Sequence, residues 1–373
     1  MDSKPTYAVF GNGSWATAIV KMLCEKPQKV HWYVRKTQTI QYILNEKHNP
    51  SYLSSVELDN DRLVLSTDIN EVAAAAEVLI FAIPSAFVHA QLESLSVDIS
   101  KKNIVSGIKG IVPEFGLLAG EYFHQQKKVP FNQIAVIGGP CHAEEVALER
   151  LSYLTIACTN AALAAEVASR LSCDYIQTKT HDDVVGAEYA AMLKNIYAIA
   201  AGISHGLGYG DNFQSVLMSN AIREMKRYIK KVYKMKRKIN ETLYLGDLLV
   251  TGYSAFSRNR MFGNMIGKGY TVKSAQMEMN MIAEGFYATK SAYQINQKNK
   301  TAAQTPIIDA VYQILYSDAN PKEVFKIASE LEIYNNERKI IEKDMLNKIE
   351  KNISVNNNDS VIVLSGHNWH SGI

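Results

Sequence analysis

The sequence predicts an α/β fold, with an N-terminal, mostly parallel sheet covered on both faces and a C-terminal domain that is all helical. Three observations carry this. Continuous apolar runs of strand length alternate with helical patterns through the first half of the chain, the signature of a parallel sheet buried on both faces. A glycine-rich turn, Gly11-Asn-Gly-Ser-Trp-Ala16, joins the first strand pattern to the first helical one. From about His181 onward the β pattern stops and helical periodicity takes over. The boundary falls around Thr178 to Asp183, so domains of 1–182 and 183–340 are expected, with a terminal segment at 341–373. The 373 residues suffice for about two domains.

Thr6–Phe10 is a short β-favouring run, and the helical pattern after Ala16 carries Ile19, Val20, Met22 and Leu23. In this strand–turn–helix context the G-x-G-x-x-A reads as a Rossmann-type dinucleotide site. Gly11 permits the tight turn, Gly13 lets the backbone approach a pyrophosphate, and the helix N-terminus faces the phosphates. A simple tight turn is the bland alternative. The next strand, Val30–Val34, ends at Arg35 and Lys36, where an NAD-selective site would place Asp or Glu. Two cations there suit a 2′-phosphate and favour NADP(H), with NAD(H) use still open; a solvated Arg-Lys pair is the competing reading.

Further strands are expected at Val78–Ile83, Ile104–Ile108, Gln133–Ile137 and Leu154–Cys158. Gly11, Arg35, Pro84, Lys109 and Gly139 then all follow strand ends, and in such sheets ligands bind outside the carboxyl ends. Lys109 is thus a ligand candidate rather than a surface lysine.

The stretch Gly186–Ile203 is apolar on nearly every side and should be a buried helix. It holds Glu188, Lys194 and Asn195. A buried lysine must find a partner or give up its proton, so Lys194 is either a general acid–base or half of a structural ion pair. Asp247 lies in the apolar run Leu245–Leu249 and needs a partner of its own. Ser257-Arg-Asn-Arg260 packs a hydroxyl, an amide and two guanidinium forks into four residues, a set that matches phosphate oxygens; a helix N-cap with exposed arginines is the alternative. Glu284-Gly285 sits in another mostly apolar helical segment, where Glu284 would meet a ribose or Lys194.

Arg223 to Lys238 holds nine basic residues in sixteen, interleaved with Met225, Tyr228, Ile229, Val232, Tyr233 and Met235. As a helix it would have an apolar stripe and a cationic face. The face would serve an anionic membrane surface, steer an anionic substrate, or simply be solvated. After Pro321 a charged helix is expected to about Glu350, and asparagine-rich Asn352–Ser360 reads as a disordered tail. His367 and His370 lie in that tail, and no metal is expected.

The formal charge of +3 is too small to argue for nucleic acid. Cys24, Cys141, Cys158 and Cys173 form no C-x-x-C pair, which fits a reducing cytosol. The N-terminus has no signal-peptide pattern. The most apolar window, Ala73–Ala90, is broken by Glu77 and Pro84 and reads as helix–strand–helix rather than as a membrane span.

Gly11-x-Gly-x-Trp-Ala16, Lys109-Gly110, Gly138-Gly-Pro-x-x-Ala-Glu144, Leu193-Lys-Asn195, Leu245-Gly-Asp-Leu248, Ser257-Arg-Asn-Arg-x-Phe-Gly263 and Glu284-Gly285 occur in this order. Over roughly residues 6 to 335 the chain therefore resembles the bacterial NAD(P)-dependent glycerol-3-phosphate dehydrogenases. The resemblance implies reversible reduction of dihydroxyacetone phosphate to sn-glycerol 3-phosphate for phospholipid synthesis, in a cytoplasmic enzyme expected to be a homodimer. It implies that Lys194 is the general acid–base, and that Lys109 and Asp247 hold substrate with help from Gly139 and Cys141. Ser257, Arg258 and Asn259 would hold the substrate end, phosphate included. Ser14, Trp15, Arg35, Ala143, Ile282 and Glu284 would contact the cofactor, with Lys109 and Arg258 as further contacts. Gly138 and Cys141 depart from the family's Ser before the Gly-Pro and its Ser or Thr after it; a thiol donates weakly. The rival readings are a 3-hydroxyacid or 6-phosphogluconate-type dehydrogenase, which the Ser-Arg-Asn-Arg cluster disfavours, and a non-catalytic nucleotide-binding or membrane-surface protein, which the intact glycine turn and Lys194 disfavour.

Overall fold

The computed structural model describes residues 5–279, 283–298 and 302–325. In chain order the elements are β1 Tyr7–Phe10, α1 Ser14–Cys24, β2 Val30–Tyr33, α2 Thr37–Glu46, β3 Leu63–Ser66, α3 Ile69–Ala74, β4 Val78–Phe81, α4 Val88–Leu92 and β5 Asn103–Ser106. A small hairpin, β6 Ile111–Val112 and β7 Leu117–Leu118, leads into α5 Ala119–Lys127, β8 Ile134–Gly138, α6 Ala143–Ala147, β9 Ser152–Ala157, α7 Ala161–Leu171 and β10 Ile176–His181. The rest is helical: α8 Val184–Gly206, α9 Asp211–Val232, α10 Asp247–Tyr253, α11 Arg258–Gly267, α12 Val272–Glu278, α13 Glu284–Lys298 and α14 Pro306–Tyr316.

Eight strands form one sheet in the order β10-β9-β8-β5-β4-β1-β2-β3. Alternate side chains along a strand enter different cores. Tyr7 and Val9 join one apolar cluster and Ala8 and Phe10 the other, as do Val78 and Ile80 against Leu79 and Phe81. Burial on both faces is why these strands read as continuous apolar runs. The strands from β8 through β3 run parallel, whereas β9 pairs antiparallel with β8 and β10 follows β9.

Two strands of the eight-stranded sheet, β3 and β10, have no counterpart in the sequence reading, nor does the small hairpin β6–β7. β3 and β10 are the two edges of the sheet, and both are only partly buried along their length. An edge strand needs no unbroken apolar run, so Ile176-Gln-Thr-Lys-Thr-His181 does not announce itself. A second difference concerns Arg223–Lys238. The helix there starts earlier, at Asp211, and stops at Val232; Tyr233 turns extended, and Arg237 leaves the surface to pair with buried Asp183.

The order of the sheet reverses between β1 and β4, and a crevice at such a point is where ligands bind. Gly11 lies there with φ +116°, and a Cβ on it would come within 2.5 Å of the Ala82 carbonyl. Only glycine fits that turn. α8 is wrapped on all sides, with 20 of its 23 residues buried. It meets α11 backbone to backbone: a Cβ on Gly202 would strike the Arg260 carbonyl at 2.0 Å, and one on Gly263 the Ile199 carbonyl at 2.1 Å. This close crossing holds the start of α11 beside the middle of α8. The terminal segment expected at 341–373, and the part of the expected charged helix that lies beyond Phe325, fall outside the described residues. Among the described residues no helix is long and apolar enough to cross a membrane.

Candidate active site

A cleft of about 560 Å³ opens between the carboxyl edge of the sheet and the helices that follow. Gly11, Arg35, Pro84, Lys109 and Gly139 all follow strands that run in the same direction, so one edge of the sheet carries them. Trp15, Lys109, Cys141, Ala143, Lys194, Ser257, Arg258, Asn259 and Glu284 line the cleft.

Lys194 is buried and forms an ion pair with Asp247, both side chains being 4 % exposed. Asp247 does not line the cleft and sits behind the lysine. It opens α10 directly after a π-helical turn, Thr242–Gly246, a device that recurs where helices are bent to deliver functional groups. Burial lowers the pKa of the Lys194 ammonium, and nearby Lys109 adds to that, while Asp247 opposes it; the net shift is downward. Both halves of the sequence reading therefore meet in one pair: the lysine has its ionic partner and still faces the cleft.

Lys109 follows β5, and its ammonium lies 4.9 Å from the centre of the Trp15 ring, a cation–π distance. Asn195 Nδ2 reaches the Lys109 carbonyl at 3.4 Å, tying this loop to α8. Arg258 Nη2 donates to Ser14 Oγ at 2.9 Å and lies 3.6 Å from Glu144 Oε1. Its guanidinium thus stands between the glycine turn and α6. Asn259 Oδ1 accepts from the Gly285 amide at 2.8 Å, which fixes the start of α13 and with it Glu284. Burial raises the pKa of the Glu284 carboxyl against the pull of Lys109, Arg258 and Lys194.

Ser257 does cap α11, its hydroxyl accepting from the Arg260 amide at 3.3 Å. The two arginines part company: Arg258 lines the cleft, while Arg260 does not and its buried Nε has no hydrogen-bond partner among the described residues. Two residues apart on a helix means about 200° around the axis. Gly11, Gly13, Ser14, Arg35 and Gly139 do not line the cleft. Ser14 is buried at the first turn of α1, and Gly139 adopts φ +108° with Tyr153 packed behind it. Arg35 and Lys36 are exposed beyond β2. Ile282 lies outside the described residues.

Of the cleft residues that escaped the sequence reading, one bears directly on the chemistry. His142, between Cys141 and Ala143, lines the cleft. Burial, then Lys194, Lys109 and Arg258, drive its pKa down to about 3, so the imidazole stays neutral. Its only signal was a ring nitrogen between two candidate residues. Burial also pushes the Cys141 thiol up to about 12, leaving it protonated.

The glycine turn fits a dinucleotide. α1 has eleven residues and no side-chain cap, so its first amides remain available to an anion, and the buried Trp15 Nε1 lacks a hydrogen-bond partner among the described residues.

Residues 6–176 match the family model described as NAD-dependent glycerol-3-phosphate dehydrogenase N-terminus, and residues 183–326 match that of the C-terminus. A glycerol-3-phosphate dehydrogenase (NAD(P)+) of Bacillus velezensis is 34% identical over 313 residues, 83% of this chain and 90% of its own. The Bacillus subtilis protein of the same description is 34% identical over 312 residues, covering 83% and 89%. The crystal structure of glycerol-3-phosphate dehydrogenase from Coxiella burnetii superposes with a TM-score of 0.79 at 29% identity, over 88% of this chain and 98% of that one. This chain belongs to the NAD-dependent glycerol-3-phosphate dehydrogenase family.

Proposed function

We propose that the cleft carries out the reversible reduction of dihydroxyacetone phosphate to sn-glycerol 3-phosphate, with Lys194 as the proton donor. The observation that carries the reading is the buried Lys194–Asp247 pair at the cleft, with Lys109 on one side and Ser257–Asn259 on the other. The bound nicotinamide cofactor supplies the hydride. As C2 of the ketone gains it, negative charge grows on the C2 oxygen, and the Lys194 ammonium gives that oxygen its proton; in reverse the neutral amine takes the proton back. Asp247 holds the ammonium in place. Lys109 and neutral His142 face the substrate, and Cys141 and Gly139 shape the loop behind it. Ser257, Arg258 and Asn259 take the phosphate end.

Gly11, Gly13, Ser14 and Trp15 hold the cofactor's diphosphate side, with Ala143, Glu284, Ile282, Lys109 and Arg258 as further contacts. Exposed Arg35, beside Lys36, favours NADP(H) through a 2′-phosphate, with NAD(H) still accepted. In this reading residues 1–182 bind the dinucleotide, 183–340 form the helical substrate domain and 341–373 follow it. The protein is a cytoplasmic homodimer whose product enters glycerophospholipid synthesis. The test is NADPH oxidation by the purified protein with dihydroxyacetone phosphate, beside 3-phosphoglycerate and unphosphorylated dihydroxyacetone. Turnover of the first alone is expected; preference for either other compound would refute the assignment.

A further inference from the structure

We propose that the cationic row from Arg223 to Lys238 is a docking surface for an anionic phospholipid bilayer. Nine of the chain's forty Lys and Arg fall in these sixteen residues beside one carboxylate, Glu224. The segment therefore carries +8 while the rest of the chain carries −5. Glu224 does not temper the outer face. It is fully buried, accepting the amides of Ile307 and Ile308 at 2.9 and 3.0 Å, and burial raises its pKa.

Two of the nine cations are spoken for: Arg237 pairs with Asp183, and Arg227 is bonded to the Gln304 carbonyl. On α9, Arg223, Lys226, Lys230 and Lys231 are exposed; the first three are spaced i, i+3, i+7 and lie along one stripe. Past the helix, exposure alternates, so that Lys234, Lys236 and Lys238 face solvent while Met235 and Arg237 turn in. Among the described residues none of these seven forms an ion pair, and none lines the cleft. Tyr233, 46% exposed, sits between the two halves, an amphipathic ring suited to the head-group level.

The chemistry favours a bilayer over a nucleic acid. Six of the seven are lysines, point charges suited to a diffuse anionic surface, and the single arginine spends its fork on Asn220 and the Ser219 carbonyl. Tyr233 is the only aromatic ring exposed in the row, so there is no platform for successive bases. Clusters of four to eight Lys or Arg beside an amphipathic helix are the pattern anionic lipid attracts.

The experiment is co-sedimentation of the full chain with phosphatidylcholine vesicles, with and without phosphatidylglycerol, at low and physiological salt. Binding should require phosphatidylglycerol and weaken with salt. The quadruple variant Lys226→Gln, Lys230→Gln, Lys231→Gln, Lys234→Gln should lose about fivefold per lysine, several hundredfold in all. Its NADPH oxidation with dihydroxyacetone phosphate should match the unaltered protein, which shows that it is folded. Should it misfold, the single variants Lys226→Gln and Lys234→Gln each read about a fivefold loss. Equal binding to neutral vesicles, full retention by the variant, or capture of duplex DNA without vesicle binding would each overturn the proposal. So would a fall in kcat/KM confined to low salt, which would make the row a steering device for substrate.

Discussion

Lys194 and Asp247 are ion-paired with both side chains almost wholly withdrawn from water. Burial and Asp247 act on the lysine in opposite directions, and burial prevails. Ketone reduction consumes the ammonium form, so its rate should fall as pH rises through the Lys194 pKa, while oxidation of the alcohol should rise. Asp247→Asn removes the carboxylate that holds the pKa up, so the alkaline limb of reduction should move to lower pH. Lys194→Met should cut kcat by about two to four decades, the scale of a positioned acid–base. NADPH affinity, read by fluorescence titration, should barely change. Near-normal turnover in Lys194→Met would remove the residue from the mechanism.

Arg35 stands exposed past the end of β2, where a ribose 2′ substituent would lie in a sheet of this type. Arg35→Asp should weaken NADPH far more than NADH in paired KM measurements. Equal losses would make the residue structural and send the cofactor preference elsewhere.

What the sequence disclosed followed from burial. The central strands β1, β4, β5 and β8 are covered on both faces and so are written as apolar runs; β10, at one edge, is not, and β3, at the other, offers only the three-residue run Leu63-Val-Leu65. Lys194 could be singled out because an ammonium is conspicuous in an apolar helix, but its partner is 53 positions away and emerges only when α8 and α10 pack. His142 was hidden for a different reason: no spacing distinguishes an imidazole facing a cleft from one facing water. The split between Arg258 and Arg260 depended on where α11 starts. The fate of Arg237 was equally unreadable, because a run of cations gives no hint which one turns inward.

Glu188 is fully buried on α8, accepts the Gly120 amide at 2.9 Å, and has its pKa raised by burial to about 8. A carboxyl whose folded pKa exceeds its unfolded one stabilises fully below the unfolded value and loses that contribution as pH climbs through the folded one. The window here runs from the ordinary carboxylate range to about pH 8. Glu188→Gln keeps an acceptor for Gly120 without the titration. The variant should therefore gain in Tm relative to the unaltered protein as pH goes from 5 to about 8, with a limiting slope of about 1.4 kcal/mol per pH unit. Parallel Tm–pH curves would show that Glu188 does not titrate in this range.

Asp183 joins the start of α8 to the segment that delivers Asp247. It accepts from the Gly186 amide at 2.9 Å, from Arg237 Nη2 at 3.0 Å and from Tyr244 Oη at 2.6 Å. Burial alone would raise its pKa, but these bonds outweigh burial and hold it below the usual range. Tyr244 belongs to the π-turn that ends at Asp247. Tyr244→Phe deletes one buried hydrogen bond and should cost about 1–3 kcal/mol by denaturant titration. If the turn positions Asp247, kcat should fall as well and its pH profile should shift in the same direction as for Asp247→Asn. Lost stability with an unchanged profile would confine Tyr244 to the fold.

Arg258 is predicted to decide the choice of substrate. The reaction needs only a ketone, a hydride and a proton, and a phosphate adds charge remote from the reacting carbon that fixed donors can use to orient it. Arg258 is one of the two arginines in the Ser257–Arg260 cluster and the one that lines the cleft. Its contact with Ser14 brings it equally near the glycine turn, so the cofactor competes for its role. Removing one partner of a desolvated charged contact costs about 2–5 kcal/mol. Arg258→Ala should then lower kcat/KM for dihydroxyacetone phosphate by roughly two to three decades, at about 1.4 kcal/mol per decade. Unphosphorylated dihydroxyacetone, already a poor substrate, should lose much less, and NADPH affinity should change only modestly. An equal loss on both substrates, with weakened NADPH, would assign the guanidinium to the cofactor side through Ser14, and the phosphate would have to be held by Lys109 and the Ser257–Asn259 turn without it.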